Sequence, residues 1–168
     1  PLIEPLAVAV NAVRRSGAGE SDDVLVLGGG PIGQSIVLAL QMAGVRRIIV
    51  TEVMASRQEL LRTLGVTVLD PTLVDVPDHV LAQFGHPADV ALDAVGMSET
   101  LDTALTSTKL GGTVCLVGMG NRMLQFDAFK VSTSERSIVG SFTYSSTDFE
   151  AAAAWLAKRY KRALLGFE

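Results

Sequence analysis

Three glycines and one acidic residue carry the strongest chemical signal in the sequence. The glycines begin at Gly28, directly after the apolar run 24–27, and have the spacing G-x-G-x-x-G. A helical pattern over 35–43 follows, and a second apolar run, 48–52, ends in Glu52, 19 positions after the third glycine. That distance is close to the roughly 20 residues typical of a dinucleotide-binding strand–helix–strand unit. The segment therefore predicts a dinucleotide site, with a glycine-rich turn that binds nothing as the alternative.

Each glycine has its own predicted role. Gly28 allows the tight turn from strand to helix, Gly30 lets a pyrophosphate approach the backbone, and Gly33 lets the helix pack closely on the sheet. Pro31 sets φ for the first helical turn. The free N–H groups and the dipole at that helix start attract phosphate.

The acid at the end of the second strand predicts which cofactor binds. Glu52 can accept hydrogen bonds from both ribose hydroxyls of an adenosine and would repel a 2′-phosphate, which favours NAD over NADP. Arg57 can meet a 2′-phosphate or stack on adenine, and beside Glu52 we expect stacking or a solvated side chain. Asp93 can be a polar group of the pocket, although a residue at the start of a loop more often bonds the backbone, here that of Val95 or Gly96.

Composition narrows the class of protein. A chain of 168 residues, 48% hydrophobic and 19% charged, suits one domain with a sizeable core, and a net charge of −4 argues against a general nucleic-acid surface. Cys115 is the only cysteine, which excludes an internal disulfide, and its apolar surroundings predict a packed core thiol. No apolar run is long enough for a membrane span. Without an initiator Met or a signal-peptide layout, we expect a cytoplasmic fragment of a longer chain.

Apolar runs alternate with helical segments along the chain. Strands are predicted at 24–28, 48–52, 66–69, 89–93, 113–117 and 137–142, and helices at 5–15, 35–43, 56–64, 77–84, 98–107 and 148–162, with caps at Ser56, Ser98 and 145–148. Strands that are apolar on both faces predict a parallel sheet covered by helices on both sides. The predicted fold class is α/β, a doubly wound six-stranded Rossmann sheet in the order 3-2-1-4-5-6. Residues 121–136 give no clear prediction.

The carboxyl ends of the strands are the expected ligand edge of such a sheet. Val117, Gly118 and Met119 follow strand five and can line a nicotinamide pocket, or form a simple turn. The last strand, 137–142, is an apolar sheet edge, and such edges pair with other chains unless covered. We therefore expect a homodimer in which two copies join these edges.

Taken together, these segments resemble the zinc-dependent medium-chain dehydrogenases, within them the sorbitol (polyol) and threonine dehydrogenase branch. The resemblance covers essentially the whole chain and rests on 2–8, 24–33, 50–52 with 56–57, 93–96 and 111–118. It implies that 1–168 is the NAD-binding domain of an alcohol or polyol dehydrogenase, with the zinc and most catalytic residues on an N-terminal domain that this chain lacks. Hydride would pass between a secondary alcohol and nicotinamide. The chain alone would be inactive.

The resemblance also implies roles for single residues. Glu4, in a Glu-Pro motif, would lie near the zinc and contact substrate or the metal-bound water; the alternative is an acid that only favours the helix dipole. NAD contacts are implied at Ile32, Glu52, Arg57, Val117, Gly118, Met119, Ser141, Phe142 and Thr143. Thr143 stands where polyol enzymes commonly carry Arg, which weakens the case for a polyol substrate. Asn11 stands where the first helix often has His, which weakens the case for a proton path there.

Two other classes of function compete with this interpretation. The first is a non-catalytic NAD-binding module that senses the cofactor and regulates a partner. The second, ranked well behind, is a methyltransferase, whose glycine loop also follows strand one. Methyltransferases usually carry an acid just before the glycines, where this chain has Leu27.

Overall fold

The computed structural model describes residues 2–164, with side chains over 2–159. Within 2–164 there are six strands: β1 (Asp23–Leu27), β2 (Arg47–Thr51), β3 (Thr67–Leu69), β4 (Ala88–Asp93), β5 (Thr108–Leu116) and β6 (Ser137–Gly140). The helices are α1 (Ile3–Ser16), α2 (Pro31–Met42), α3 (Ala55–Thr63), α4 (Val76–Phe84), α5 (Ser98–Ser107), α6 (Phe129–Ser132) and α7 (Ser146–Leu164).

All strand pairs are parallel, and the sheet order is β3-β2-β1-β4-β5-β6. This confirms the predicted α/β class and strand order. A strand in such a sheet is covered on both faces, which explains why β1 is buried at all five positions. Because β1 and β4 are neighbours although they are not consecutive in the chain, a crevice opens between the loops that follow them.

Two apolar layers cover the sheet. Val24 and Val26 of β1 face a layer built with α1, α2 and α7, whereas Leu25 and Leu27 face a layer built with α4 and α5. Cys115 belongs to the first layer and is fully buried, as predicted. Burial raises the pKa of its thiol to about 11, so this cysteine is unreactive at neutral pH.

Two of the predicted helix caps are wrong. Ser56 lies inside α3 and Ser98 is the first residue of α5, and Met54 and Met97 hold the two N-cap positions. The N–H of Met97 is bonded by Thr100 Oγ1 at 3.0 Å, while Ser98 Oγ accepts from a distant backbone N–H. The sequence pattern misplaced these caps by one or two residues because other side chains satisfy the helix starts.

The predicted cap of the last helix is confirmed. Ser145 Oγ accepts from the N–H of Asp148 at 3.2 Å, and Asp148 Oδ2 accepts from the N–H of Ser145 at 2.9 Å. These reciprocal bonds form a capping box. β6, by contrast, is shorter than predicted and ends at Gly140, so residues 141–145 form a loop.

The stretch that gave no clear prediction, 121–136, contains the four-residue helix α6. Among the described helices, none combines the length and the apolar character that a bilayer crossing requires.

The close packing of α2 on β1 gives a direct test of the glycine roles. A Cβ on Gly33 would lie 1.8 Å from the carbonyl oxygen of Gly28, whereas a Cβ on Gly30 would have no neighbour nearer than Arg57 Nη1 at 3.8 Å. Gly33→Ala should therefore lower the free energy of unfolding by about 3 kcal/mol, as overpacking against backbone does. Gly30→Ala should lower it by less than about 1 kcal/mol. Urea unfolding measures both, and equal losses would contradict the assignment.

Candidate functional site

The structure brings the predicted site segments to one edge of the sheet. Each lies at the carboxyl end of a strand: 28–33 after β1, Glu52 after β2, 93–96 at the end of β4, 117–119 after β5 and 141–143 after β6. Glu4 reaches the same edge from the first turn of α1. The segments form two groups, one around the glycine loop and one around a cavity beside Glu4.

The glycine loop leaves open space at the start of α2. Gly28 has φ of +91°, a conformation that favours glycine, and its N–H donates to the Thr51 carbonyl at 3.0 Å. Gly30 is the N-cap of α2, with Pro31 as the first helical residue. The N–H groups of the first helical turn have no partner within the helix. A phosphate lying over Gly30 can therefore accept hydrogen bonds from them.

Glu52 is held rigidly beside the glycine loop. Its side chain is only 5% exposed. Its Oε2 accepts from the N–H of Gly29 at 3.0 Å, and its Oε1 accepts from the N–H of Met54 at 2.8 Å. Each carboxylate oxygen still has a free lone pair for a ribose hydroxyl. Arg57 Nη1 lies 3.7 Å from Oε2, which places a cation at the rim of this group.

Gly29 has a role that the sequence analysis missed. A Cβ at this position would lie 2.4 Å from Leu61 Cδ1 and 3.0 Å from Glu52 Cβ. Glycine at position 29 therefore leaves room for Leu61 and Glu52 beside the loop, whereas a Cβ there would require the Leu61 side chain to move. The run of three glycines in the sequence was the available signal.

Two glutamines also stabilise this group and were not predicted. Gln34 Nε2 donates to the Gly29 carbonyl at 2.8 Å, and the buried Gln58 donates to the Glu52 carbonyl at 2.7 Å. Both side chains bond backbone carbonyl groups, so they stabilise the loop and do not line the ligand position. Glutamine on a helix is too common to signal such a role in a single sequence.

The second group surrounds a cavity of about 220 Å³. It is lined by Glu4, Val8, Ile32, Val117, Met119, Ser141, Phe142 and Thr143. Met119 and Phe142 expose 76% and 71% of their surface near its mouth. One carboxylate in a mainly apolar cavity suits an aromatic ring that carries a polar group.

Gly118 contributes to the site by packing rather than by lining this cavity. A Cβ on Gly118 would lie 2.2 Å from the backbone of Val95, and one on Gly96 would lie 2.3 Å from the Gly118 carbonyl oxygen. The N–H of Gly120 donates to the Val95 carbonyl at 2.9 Å. The loops after β4 and β5 are thus joined backbone to backbone.

Asp93 organises the loop after β4, as predicted. It is fully buried; its Oδ1 accepts from the N–H groups of Val95 at 2.8 Å and Gly96 at 3.0 Å, and its Oδ2 accepts from the Thr100 hydroxyl at 2.9 Å. Burial raises the pKa of Asp93 above its usual value, although these hydrogen bonds oppose the shift. Asp93 is therefore a structural group of the loop.

A pH series on Asp93→Asn tests this role. Because the folded-state pKa of Asp93 is raised, its contribution to stability is fully present below its unfolded pKa of about 3.8 and is lost as the pH rises through the folded value. Asparagine keeps the acceptor for Val95 and Gly96 and does not titrate. The stability of Asp93→Asn relative to wild type, measured by urea unfolding, should therefore rise as the pH increases above about 3.8.

A difference in unfolding free energy between Asp93→Asn and wild type that does not change with pH would contradict this prediction. Asp93→Leu is the control for the hydrogen bonds, because it leaves the N–H groups of Val95 and Gly96 without their acceptor. It should be about 3 kcal/mol less stable than Asp93→Asn at every pH, because neither variant titrates at this position.

A possible metal site in the described residues is a poor fit for zinc. Asp23, His86 and Asp89 lie close together at the opposite edge of the sheet. Asp23 Oδ2 already pairs with Arg47 Nη1 at 2.7 Å and with His86 Nε2 at 3.0 Å, and Asp89 pairs with the Lys109 ammonium. A divalent cation would have to displace the Arg47 guanidinium and the Lys109 ammonium, so we interpret the cluster as an ion-pair network.

Comparison with known proteins gives a consistent result. A family model described as zinc-binding dehydrogenase matches residues 31–158. A sorbitol dehydrogenase from Arabidopsis thaliana is 34% identical over 152 residues, which cover 87% of this chain and 42% of that protein.

Two similar solved structures contain different cofactors. A zinc-binding dehydrogenase from Sinorhizobium meliloti 1021, bound to NADP, is 28% identical with a TM-score of 0.80 and covers 90% of this chain and 46% of its own. An alcohol dehydrogenase from Escherichia coli CFT073, complexed with NADH, is 26% identical with a TM-score of 0.84 and covers 94% of this chain and 47% of its own. The chain thus spans less than half the length of each of these proteins.

Proposed function

Because the chain belongs to the zinc-binding dehydrogenase family, we propose that it is the NAD-binding domain of an alcohol or polyol dehydrogenase. The whole protein would transfer hydride between a secondary alcohol and nicotinamide. The observation that carries this proposal is the buried Glu52 carboxylate, held at the glycine loop where it can receive an adenosine ribose. No observation favours a purely regulatory role.

The adenosine half of NAD would lie on the first group of residues. The pyrophosphate would lie over Gly30 and Pro31 at the start of α2, and the ribose hydroxyls would donate to Glu52. A 2′-phosphate would bring at least one further negative charge against a carboxylate that is only 5% exposed, which supports NAD over NADP. Similar proteins hold either cofactor, so this preference rests on Glu52. Arg57, at the rim, would stack on the adenine.

The nicotinamide half would occupy the cavity beside Glu4. When bound, nicotinamide accepts or releases a hydride at C4. Ile32, Val117 and Met119 would exclude water from one side of the ring, and the loop 141–143 would form the other wall. The exposed side chains of Met119 and Phe142 support a ligand or protein surface here, because large apolar groups of this kind mark interaction sites.

Glu4 would be the catalytic residue that this chain contributes. It reaches the cavity from α1, where its carboxylate would contact the alcohol. Thr143 would add a hydroxyl rather than a positive charge to the same wall, and that hydroxyl donates to the Phe142 carbonyl at 2.7 Å.

We further propose that residues 1–168 form this domain alone and that the zinc ligands belong to another part of the whole protein. The poor fit of the Asp23, His86 and Asp89 cluster supports this, as does the short span of the chain relative to its relatives. We expect no turnover by this chain alone.

Fluorescence titration with NADH and, separately, NADPH tests the cofactor site. We expect saturable NADH binding and weaker NADPH binding. Glu52→Ala removes the ribose acceptor and releases the N–H of Gly29, so it should weaken NADH binding by about tenfold or more. Gly30→Ala should fold but bind neither cofactor well, because its Cβ would occupy the pyrophosphate position. Glu59→Ala, an exposed glutamate on α3, is the matched control and should bind like wild type.

Three results would count against this assignment. Equal or tighter NADPH binding would place Arg57 at a 2′-phosphate and overturn the preference for NAD. Unchanged NADH binding by Glu52→Ala would remove the ribose role of that residue. If the chain bound neither cofactor, the proposal that it contains a dinucleotide site would be refuted.

We also propose that the chain forms a homodimer through β6. This strand is at the sheet edge, Ile138 and Val139 are only half-buried, and a two-fold axis beside β6 would join the two sheets into one. Light scattering after size exclusion should give the mass of a dimer. Gly140→Glu, at an exposed position where a Cβ meets no atom within 4 Å, should give a folded monomer. A wild-type chain that stays monomeric at high concentration would refute this.

A further inference from the structure

The loop between β6 and α7 is held by one side chain from the other end of the sequence. Asn11 of α1 is 6% exposed. Its Nδ2 lies 3.2 Å from Ser141 Oγ, 3.3 Å from the Phe142 carbonyl oxygen and 3.0 Å from the Thr143 carbonyl oxygen. Two amide hydrogens thus serve three oxygens of the loop that forms one wall of the cavity.

Arg14 fixes the direction of this amide. Its Nη2 lies 2.7 Å from Asn11 Oδ1. A guanidinium can only donate, so the amide oxygen must face Arg14 and the amide nitrogen must face the loop. Arg14 also bonds both carboxylate oxygens of Asp148, at 3.2 and 3.3 Å, and Asp148 caps α7 together with Ser145. Both ends of the loop are therefore tied to α1.

The loop needs such support because one of its residues is strained. Thr143 has φ of +56°, a left-handed conformation that a β-branched residue rarely adopts. Its carbonyl is the nearest of the three oxygens to Asn11 Nδ2. Without that donor the peptide would relax toward a negative φ, and the wall at 141–143 would move.

We propose that Asn11 is a positioning residue for the nicotinamide half of the cofactor. This inference rests on the proposed function, since it concerns the same cavity. Asn11 fixes the carbonyl groups and side chains of 141–143 in one arrangement before the ring binds, and preorganisation of this kind lowers the entropy lost on binding. It acts through the loop and does not touch the reacting atoms.

The test compares NADH with ADP-ribose, which lacks the nicotinamide ring. Asn11→Asp keeps the shape of the side chain and the bond from Arg14, but it replaces the donor with an oxygen facing two carbonyls. We expect NADH to bind about tenfold more weakly, with a smaller change in its emission on binding, while the affinity for ADP-ribose changes less than about twofold. A general loss of structure would weaken both ligands equally.

Gln41→Glu is the matched control. Gln41 Nε2 donates to the Leu64 carbonyl at 2.7 Å, so this variant removes a similar amide donor away from the loop. It should leave the ratio of the two affinities unchanged even if thermal stability falls. Should Asn11→Asp not fold, Asn11→Ala removes the donor without introducing a charge and should show the same selective loss.

Two results overturn the inference while the proposed function stands. One is an equal loss of NADH and ADP-ribose affinity in the Asn11 variants relative to the control. The other is NADH binding and emission that match wild type. Failure of the wild-type chain to bind either ligand would overturn the proposed function, and this inference with it.

Discussion

The position of α2 on the sheet depends on one close contact. The carbonyl oxygen of Gly28 occupies the space that a side chain at residue 33 would need. A helix can approach a strand this closely only if that side chain is absent. The approach aims the first turn of α2 at the open crevice between the loops after β1 and β4. The proposed phosphate position, the reach of Ile32 into the cavity and the place of Gly30 all follow from this one contact.

The acid after β2 connects the glycine loop to the rest of the sheet. Glu52 accepts from a backbone N–H of the glycine loop and from one at the start of α3, so a change in either segment moves the carboxylate. Burying a charged group in this way is tolerated because both oxygens have donors. The same residue then serves two purposes, since the lone pairs that remain are those a ribose would use.

Much of the fold could be predicted because its signals are local. Alternating apolar runs and helical stripes gave the strand order, and the glycine spacing with its acid located the crevice. Features that depend on tertiary contacts could not be predicted. Ser56 and Ser98 looked like caps because serine commonly caps helices, yet Glu52 and Thr100 bond those helix starts. The roles of Gly29 and Asn11 depend on contacts 23 and 130 residues away in sequence, which a single sequence does not reveal.

The ties from α1 to the loop after β6 also determine the order in which the cleft can be completed. During synthesis the glycine loop and Glu52 leave the ribosome well before residues 141–148. The cavity wall formed by 141–143 is complete only when this loop contacts α1, more than a hundred residues after Asn11 is made. A nascent chain that ends at β5 would thus carry the residues of the proposed adenosine half of the cleft but not the loop of the proposed nicotinamide half.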